Sequence, residues 1–140
     1  MKYLSILFLT ALFITSCDKS DDVIEGVDYS YHAHVKSPKG ETLQMGDTLE
    51  LNVLFESHSG EPVHNVKVEI ASQADPSHIV FDYHDHVHAT ESSFNYVEHL
   101  VINEANGFSP SNTYVFTASV WGTEGDDDGL ESEETTFSIE

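Results

Sequence analysis

The stretch Thr48 to Phe55, TLELNVLF, places Leu49, Leu51, Val53 and Phe55 at every second position, with Thr48, Glu50 and Asn52 between them. A period of 2 sends successive side chains to opposite faces of an extended strand, so one face is built for burial and the other for water. The pattern recurs along the chain. Val66, Val68 and Ile70 alternate with Asn65, Lys67 and Glu69, and Tyr114, Phe116, Ala118 and Val120 form another apolar row. Phe94, Tyr96, Leu100 and Ile102 share a parity broken only by Glu98. Tyr29 to Val35, Ile79 to about Val87, and Phe137 with Ile139 complete seven predicted strands, and no stretch carries the 3.6-residue period of a long amphipathic helix.

Turn residues punctuate these runs at Ser37-Pro38-Lys39-Gly40, Ser59-Gly60-Glu61-Pro62, Gln73 to Ser77, Asn106-Gly107 to Asn112, and Gly122 to Gly129. Seven short strands in about 112 residues, separated this way, predict one all-β domain over 29–140, folded as an antiparallel β-sandwich. That length supports one hydrophobic core and not two.

The N-terminus has a different character. Met1 and Lys2 form a short basic region, Tyr3 to Ile14 an apolar one, and Ile14-Thr15-Ser16-Cys17 resembles the lipobox of bacterial lipoproteins. The resemblance implies a signal peptide over 1–16 that is removed, and acylation of Cys17, which would anchor the chain to a membrane. The apolar run is too short to span a bilayer as a mature helix. Residues 17–28 then form a lipidated cysteine and an acidic tether reaching at most roughly 40 Å from its eleven extended residues. The CDKSDD segment is similar to the acidic leaders of Bacteroidota lipoproteins displayed at the cell surface, which implies an outer-membrane or surface location in the cell envelope.

Cys17 is the only cysteine, so lipidation leaves no thiol for a disulfide, a sulfur-ligated metal or a nucleophile. The formal charge of the whole chain is -20, with 25 acidic residues against 5 lysines and no arginine. Such a field repels nucleic acid and anionic head groups and attracts cations. A soluble, monomeric domain is expected behind the anchor.

Gly46-Asp47-Thr48-Leu49 leads into the second predicted strand as in many bacterial immunoglobulin-like modules. Tyr114-Val115-Phe116-Thr117-Ala118 resembles the Y-x-C-x-A signature of the sixth strand of such domains, with Phe116 in the place of the cysteine. Trp121 follows the sixth strand instead of lying on the third, and no disulfide pair exists. The match is therefore to a bacterial Ig-like or fibronectin-like module, not an antibody domain. Lipobox, acidic tether, single sandwich and a histidine-rich segment together are similar to a group of Bacteroidota lipoproteins built on a domain of unknown function.

The chemistry concentrates in nine histidines. Within Phe81-Asp82-Tyr83-His84-Asp85-His86-Val87-His88, strand parity sends Asp82, His84, His86 and His88 to one face, with neighbouring imidazoles about 6 to 7 Å apart. This comb of one carboxylate and three imidazoles offers ligands of the kind Zn²⁺ or Cu²⁺ takes. His99 is out of phase with Leu100 and Ile102 and would join the comb if its strand were a neighbour. His32 and His34 form a second outward pair, read as a separate, weaker metal site. In a sheet ordered A, B, E, D the first and fourth strands would be separated by about 14 Å, too far for one ion. His58, His64 and His78, at a turn and at strand ends, receive no role.

Other chemistries find less support. The run from Glu124 to Gly129 fails the EF-hand pattern, because Glu124 stands at its first ligand position and Thr135 at its twelfth, so calcium is not expected. No G-x-S-x-G elbow, H-E-x-x-H helix or glycine-rich phosphate loop is present, and no enzymatic activity is expected. The leading expectation is an anchored lipoprotein that captures, buffers or delivers a divalent transition metal through His84, His86 and His88 with Asp82 or His99. The alternative is an adhesion or accessory module that contacts a glycan or an envelope protein, with histidines that are incidental or sense pH.

Overall fold

A computed structural model describes residues 31–87, 91–122 and 129–140 of the chain. The leader, Cys17, the tether, His88 and the acidic run 124–128 lie outside the described residues. Eight strands follow in order: β1 (Tyr31–Ser37), β2 (Thr42–Leu43), β3 (Thr48–Ser57), β4 (Asn65–Ser72), β5 (Ile79–His86), β6 (Ser93–Val101), β7 (Asn112–Trp121) and β8 (Glu131–Ile139), with one turn of 3₁₀ helix at Glu104–Asn106. They form two sheets, β1-β3-β6 and β2-β8-β7-β4-β5. All pairs are antiparallel except the short β2–β8 pair. The predicted all-β Ig-like sandwich is what forms, with β2 as an eighth strand that two residues of sequence do not announce.

The period-2 rows supply the interior. Leu49, Leu51, Val53 and Phe55 of β3 face Val66, Val68 and Ile70 of β4 and Tyr114, Phe116, Ala118 and Val120 of β7 across the sandwich, all at 2% exposure or less. Phe116 fills with a ring the position where antibody-like domains place a disulfide sulfur, so here apolar burial does that work, worth about 3–5 kcal/mol for such a side chain. Tyr114 is also fully buried, and its hydroxyl accepts a hydrogen bond from the Ser109 backbone N–H at 2.8 Å. That is the corner expected of a tyrosine two positions before the cysteine site.

One topological expectation is corrected. The fourth predicted strand, β5, does not extend the sheet of β1 and β3; it pairs with β4 at the edge of the opposite sheet. The reason is the short connection 73–78. Asp75 Oδ1 accepts from the backbone N–H and the hydroxyl of Ser77 at 3.1 and 2.6 Å, the His78 N–H bonds to the Asp75 carbonyl at 2.9 Å, and the Ser72 N–H bonds to the His78 carbonyl at 3.0 Å. A turn this tight returns the chain beside the strand it left. After β5 the chain returns to the three-stranded sheet as β6, and the Tyr83 and Tyr96 rings of these two strands meet across the sandwich at 4.7 Å. On the opposite side, the Glu133 carboxylate of β8 accepts the Val35 N–H of β1 at 2.9 Å and ties the two sheets together.

Candidate metal centre

Tyr31, Ala33 and Val35 of β1 are buried, which drives His32 and His34 to the outer face of the three-stranded sheet. On β3, burial of Phe55 and Ser57 turns Glu56 to that same face. His58 continues the parity of Glu56 just beyond the end of β3. The register sets His32 opposite Glu56 and His34 opposite Leu54, and the last pair of the ladder joins Tyr31 to Ser57. Glu56 therefore lies diagonally across from His34, and His58 diagonally across from His32.

The side chains close that pattern. His34 Nε2 lies 3.1 Å from Glu56 Oε2. One ligand atom each from His34, Glu56 and His58 lies within 4.8 Å of the other two, and this is the group of three ligating side chains found among the described residues. Two atoms bound to one tetrahedral zinc stand about 3.3 Å apart, given metal–ligand bonds of ~2.0–2.1 Å. The His34–Glu56 contact is already at that distance, and small rotations of exposed side chains bring in His58. His32 belongs to the same patch, its ring centroid 6.0 Å from that of His34 and 4.9 Å from that of His58.

The β5 comb has the parity the sequence predicts, with Asp82, His84 and His86 all exposed. Its cross-strand partners are different in kind. Lys67 of β4 stands opposite His84, its ammonium 2.6 Å from Glu69 and 3.9 Å from Asp82. The hydrogen bond to Glu69 raises the Lys67 pKa above its ordinary value, with Asp82 adding to the effect, so a fixed cation sits among these ligands. His84 lies against the Trp121 indole, centroids 5.2 Å apart. His86 donates from Nδ1 to Asn65 Oδ1 at 3.0 Å and packs edge-on against His64 at 3.8 Å. Asp82, His84 and His86 are thus each engaged with a different group, and His88 lies outside the described residues.

His99 does not join them. It sits on β6 in the other sheet, directly opposite Glu50, with Nε2 3.6 Å from that carboxylate. The condition for His99 to join the comb, that β5 and β6 be neighbours within one sheet, is not met, because β3 and not β5 hydrogen-bonds to β6. His32 and His34, read as the lesser pair, are the ones brought beside a carboxylate and a third imidazole. The sequence places His58 in a turn and gives it no role, yet Glu50, Asn52, Leu54, Glu56 and His58 continue one parity through the strand end, and that is the signal that points to it.

No protein-family model matches the sequence, and no curated protein matches it. Solved structures similar to it include a CARDB domain from Pyrococcus furiosus in complex with di-metal ions, at 9% identity and a TM-score of 0.44, covering 81% of this chain and 94% of that one. Another is the human seminal-plasma complex of zinc 2-glycoprotein and prolactin inducible protein, at 7% identity and 0.48, covering 79% and 94%. A third is the superoxide reductase neelaredoxin from Ignicoccus hospitalis, at 11% and 0.47, covering 79% and 80%. None of these likenesses bears on what this chain does.

Proposed function

We propose that this chain is a bacterial envelope lipoprotein, anchored through Cys17, whose sandwich captures a divalent transition metal ion for buffering or delivery. The observation that carries the metal reading is the convergence of His34, Glu56 and His58 on the outer face of the three-stranded sheet. Two imidazoles and a carboxylate are ligands for Zn²⁺ or Cu²⁺, and the lack of any thiol after lipidation, with Met45 as the sole thioether beyond the leader, disfavours Cu⁺. The site is open to solvent, with the His34 and Glu56 side chains 50% and 35% exposed, so an ion can enter and leave without unfolding. The sequence features of the leader support the anchor, and the strongly acidic surface would raise the local concentration of cations.

The test is calorimetric titration of the untagged full-length protein in detergent with Zn²⁺ and with Cu²⁺. One saturable equivalent is expected. His34→Ala with His58→Ala should weaken it at least about 100-fold, since even partners that only orient a ligand are worth about 10- to 100-fold. His84→Ala with His86→Ala should leave it within a few-fold. Absence of saturable binding, or binding that follows the second pair and not the first, overturns this assignment.

A further inference from the structure

The trio that converges on β1 and β3 is drawn from the two ends of a diagonal, and His32 stands at its middle. Along β1 the order is His32 then His34, while antiparallel β3 runs from Leu54 opposite His34 to Glu56 opposite His32, with His58 one step further. An ion shared by His34 and His58 must therefore lie over the His32–Glu56 pair. The ring contacts agree: His32 is stacked on His34 at an interplanar angle of 22° and meets His58 edge-on at 87°. The side chain is exposed and on the same outward parity, so its torsions can turn toward the ion without disturbing the core.

Resting on the metal reading above, we infer that His32 is the fourth ligand and that the site closes around Zn²⁺ as three imidazoles and one carboxylate. Four protein ligands in a tetrahedral shell are the arrangement of zinc sites that hold the ion, whereas sites that activate water keep three and leave one position open. The difference decides what the protein does with its metal. With three ligands the ion would retain a bound water and a route to hydrolytic chemistry. With His32 included, the ion is held between the first two strands to meet in the three-stranded sheet, and the function is retention and transfer.

Co²⁺ serves as the probe, because an added anion displaces a bound water and shifts the d–d bands, whereas a shell filled by four protein ligands leaves them fixed. The full-length protein loaded with one equivalent of Co²⁺, read as a difference spectrum against His34→Ala, should show four-coordinate bands that azide does not move. His32→Ala, which opens the fourth position to water, should give bands that shift on adding azide and should lower Zn²⁺ affinity about 10-fold or more, with an unchanged far-ultraviolet circular dichroism spectrum showing that the sandwich remains folded. His32→Asp, which restores a ligand atom, should recover part of the resistance to azide. Bands that azide shifts in the unaltered chain as it does in His32→Ala overturn the four-ligand shell while leaving the three-ligand reading standing. No saturable Co²⁺ or Zn²⁺ binding by the unaltered chain takes both down.

Discussion

The outer faces of the two sheets carry nearly the same local sequence and end in opposite arrangements. On β1, His32 and His34 alternate with buried residues, and on β5 His84 and His86 alternate with half-buried Tyr83 and exposed Asp85, beside Asp82. What differs is the strand next door. Beside β1 the ladder presents Glu56, with His58 just beyond it; beside β5 it presents Lys67 opposite His84 and Asn65 opposite His86. An anionic partner gathers imidazoles toward a shared point, and a cation at the centre of the patch repels the ion they would have shared. A comb of ligands on one strand is thus half a site, and the neighbouring strand completes or cancels it.

The largest effect that would break this comparison is thermal. An ion bound only by the folded protein stabilises it by about 2.7 kcal/mol when free ligand is 100 times its dissociation constant. For a domain of this size that corresponds to a rise in Tm of roughly 10 °C. Calorimetric scans with and without Zn²⁺ should show the rise in the unaltered chain and in His84→Ala with His86→Ala, and should lose it in His34→Ala with His58→Ala. A shift retained by the last variant would place the ion elsewhere.

A gain of function sharpens the same contrast. Lys67→His removes the ammonium that engages Glu69 and Asp82 and sets an imidazole directly opposite His84. Three imidazoles, counting His86, and two carboxylates would then share the outer face of β4 and β5, and titration should reveal a second Zn²⁺ equivalent, weaker than the first by about 10-fold or more because its groups are not gathered beforehand. If no second equivalent appears, the identity of the cross-strand residue is not what silences β5.

How far the sequence reaches can be judged residue by residue. TLELNVLF and the rows like it are legible because burial repeats with the strand's own period, and so the sandwich, its core and the outward parity of His32, His34, His84 and His86 can all be read locally. The tyrosine corner is equally legible, since Tyr114 and Phe116 carry a spacing tied to one place in the fold. Register and strand order are not. Nothing within β1 states that Glu56 will lie opposite His32, and nothing within β5 states that Lys67 will face His84, because pairing is settled by turn geometry and by packing summed over two sheets. The hairpin built on Asp75 and Ser77 took β5 away from the sheet expected of it, and with it the prospect of His99 as a partner.

A smaller effect follows from the charge that β5 holds. The Lys67 pKa is raised in the folded state, first by its hydrogen bond to Glu69; burial opposes this, and the nearby carboxylates of Glu69 and then Asp82 add smaller upward effects. A group whose folded pKa exceeds its unfolded one contributes stability that is fully present below the unfolded value of 10.5 and is lost as pH rises through the folded value. Because the Lys67 side chain is 38% exposed, solvent screening limits the contribution to about 0.2–1 kcal/mol. Urea denaturation between pH 9 and about 12 should show a loss of that size in the unaltered chain beyond the loss seen in Lys67→Gln. Equal alkaline losses in the two proteins would show that the ion pair is only a feature of the surface.

The smallest expected effect isolates proximity from convergence. His99 lies on the same sheet as the candidate metal centre and faces a carboxylate, Glu50, as His34 faces Glu56. The pair is looser, at 3.6 Å against 3.1 Å, more exposed, and placed where Thr48 and Asn52 of β3 flank Glu50 instead of another imidazole. An exposed pair of this kind is worth less than about 1 kcal/mol, and two ligands without a third hold a metal poorly. His99→Ala should therefore change the urea midpoint by an amount equivalent to about 0.5 kcal/mol or less and leave the Zn²⁺ isotherm unchanged. A loss of metal affinity in this variant would mean that β6 reaches the site, and that one imidazole beside one carboxylate on this face counts for more than the crossing of His32, His34, Glu56 and His58.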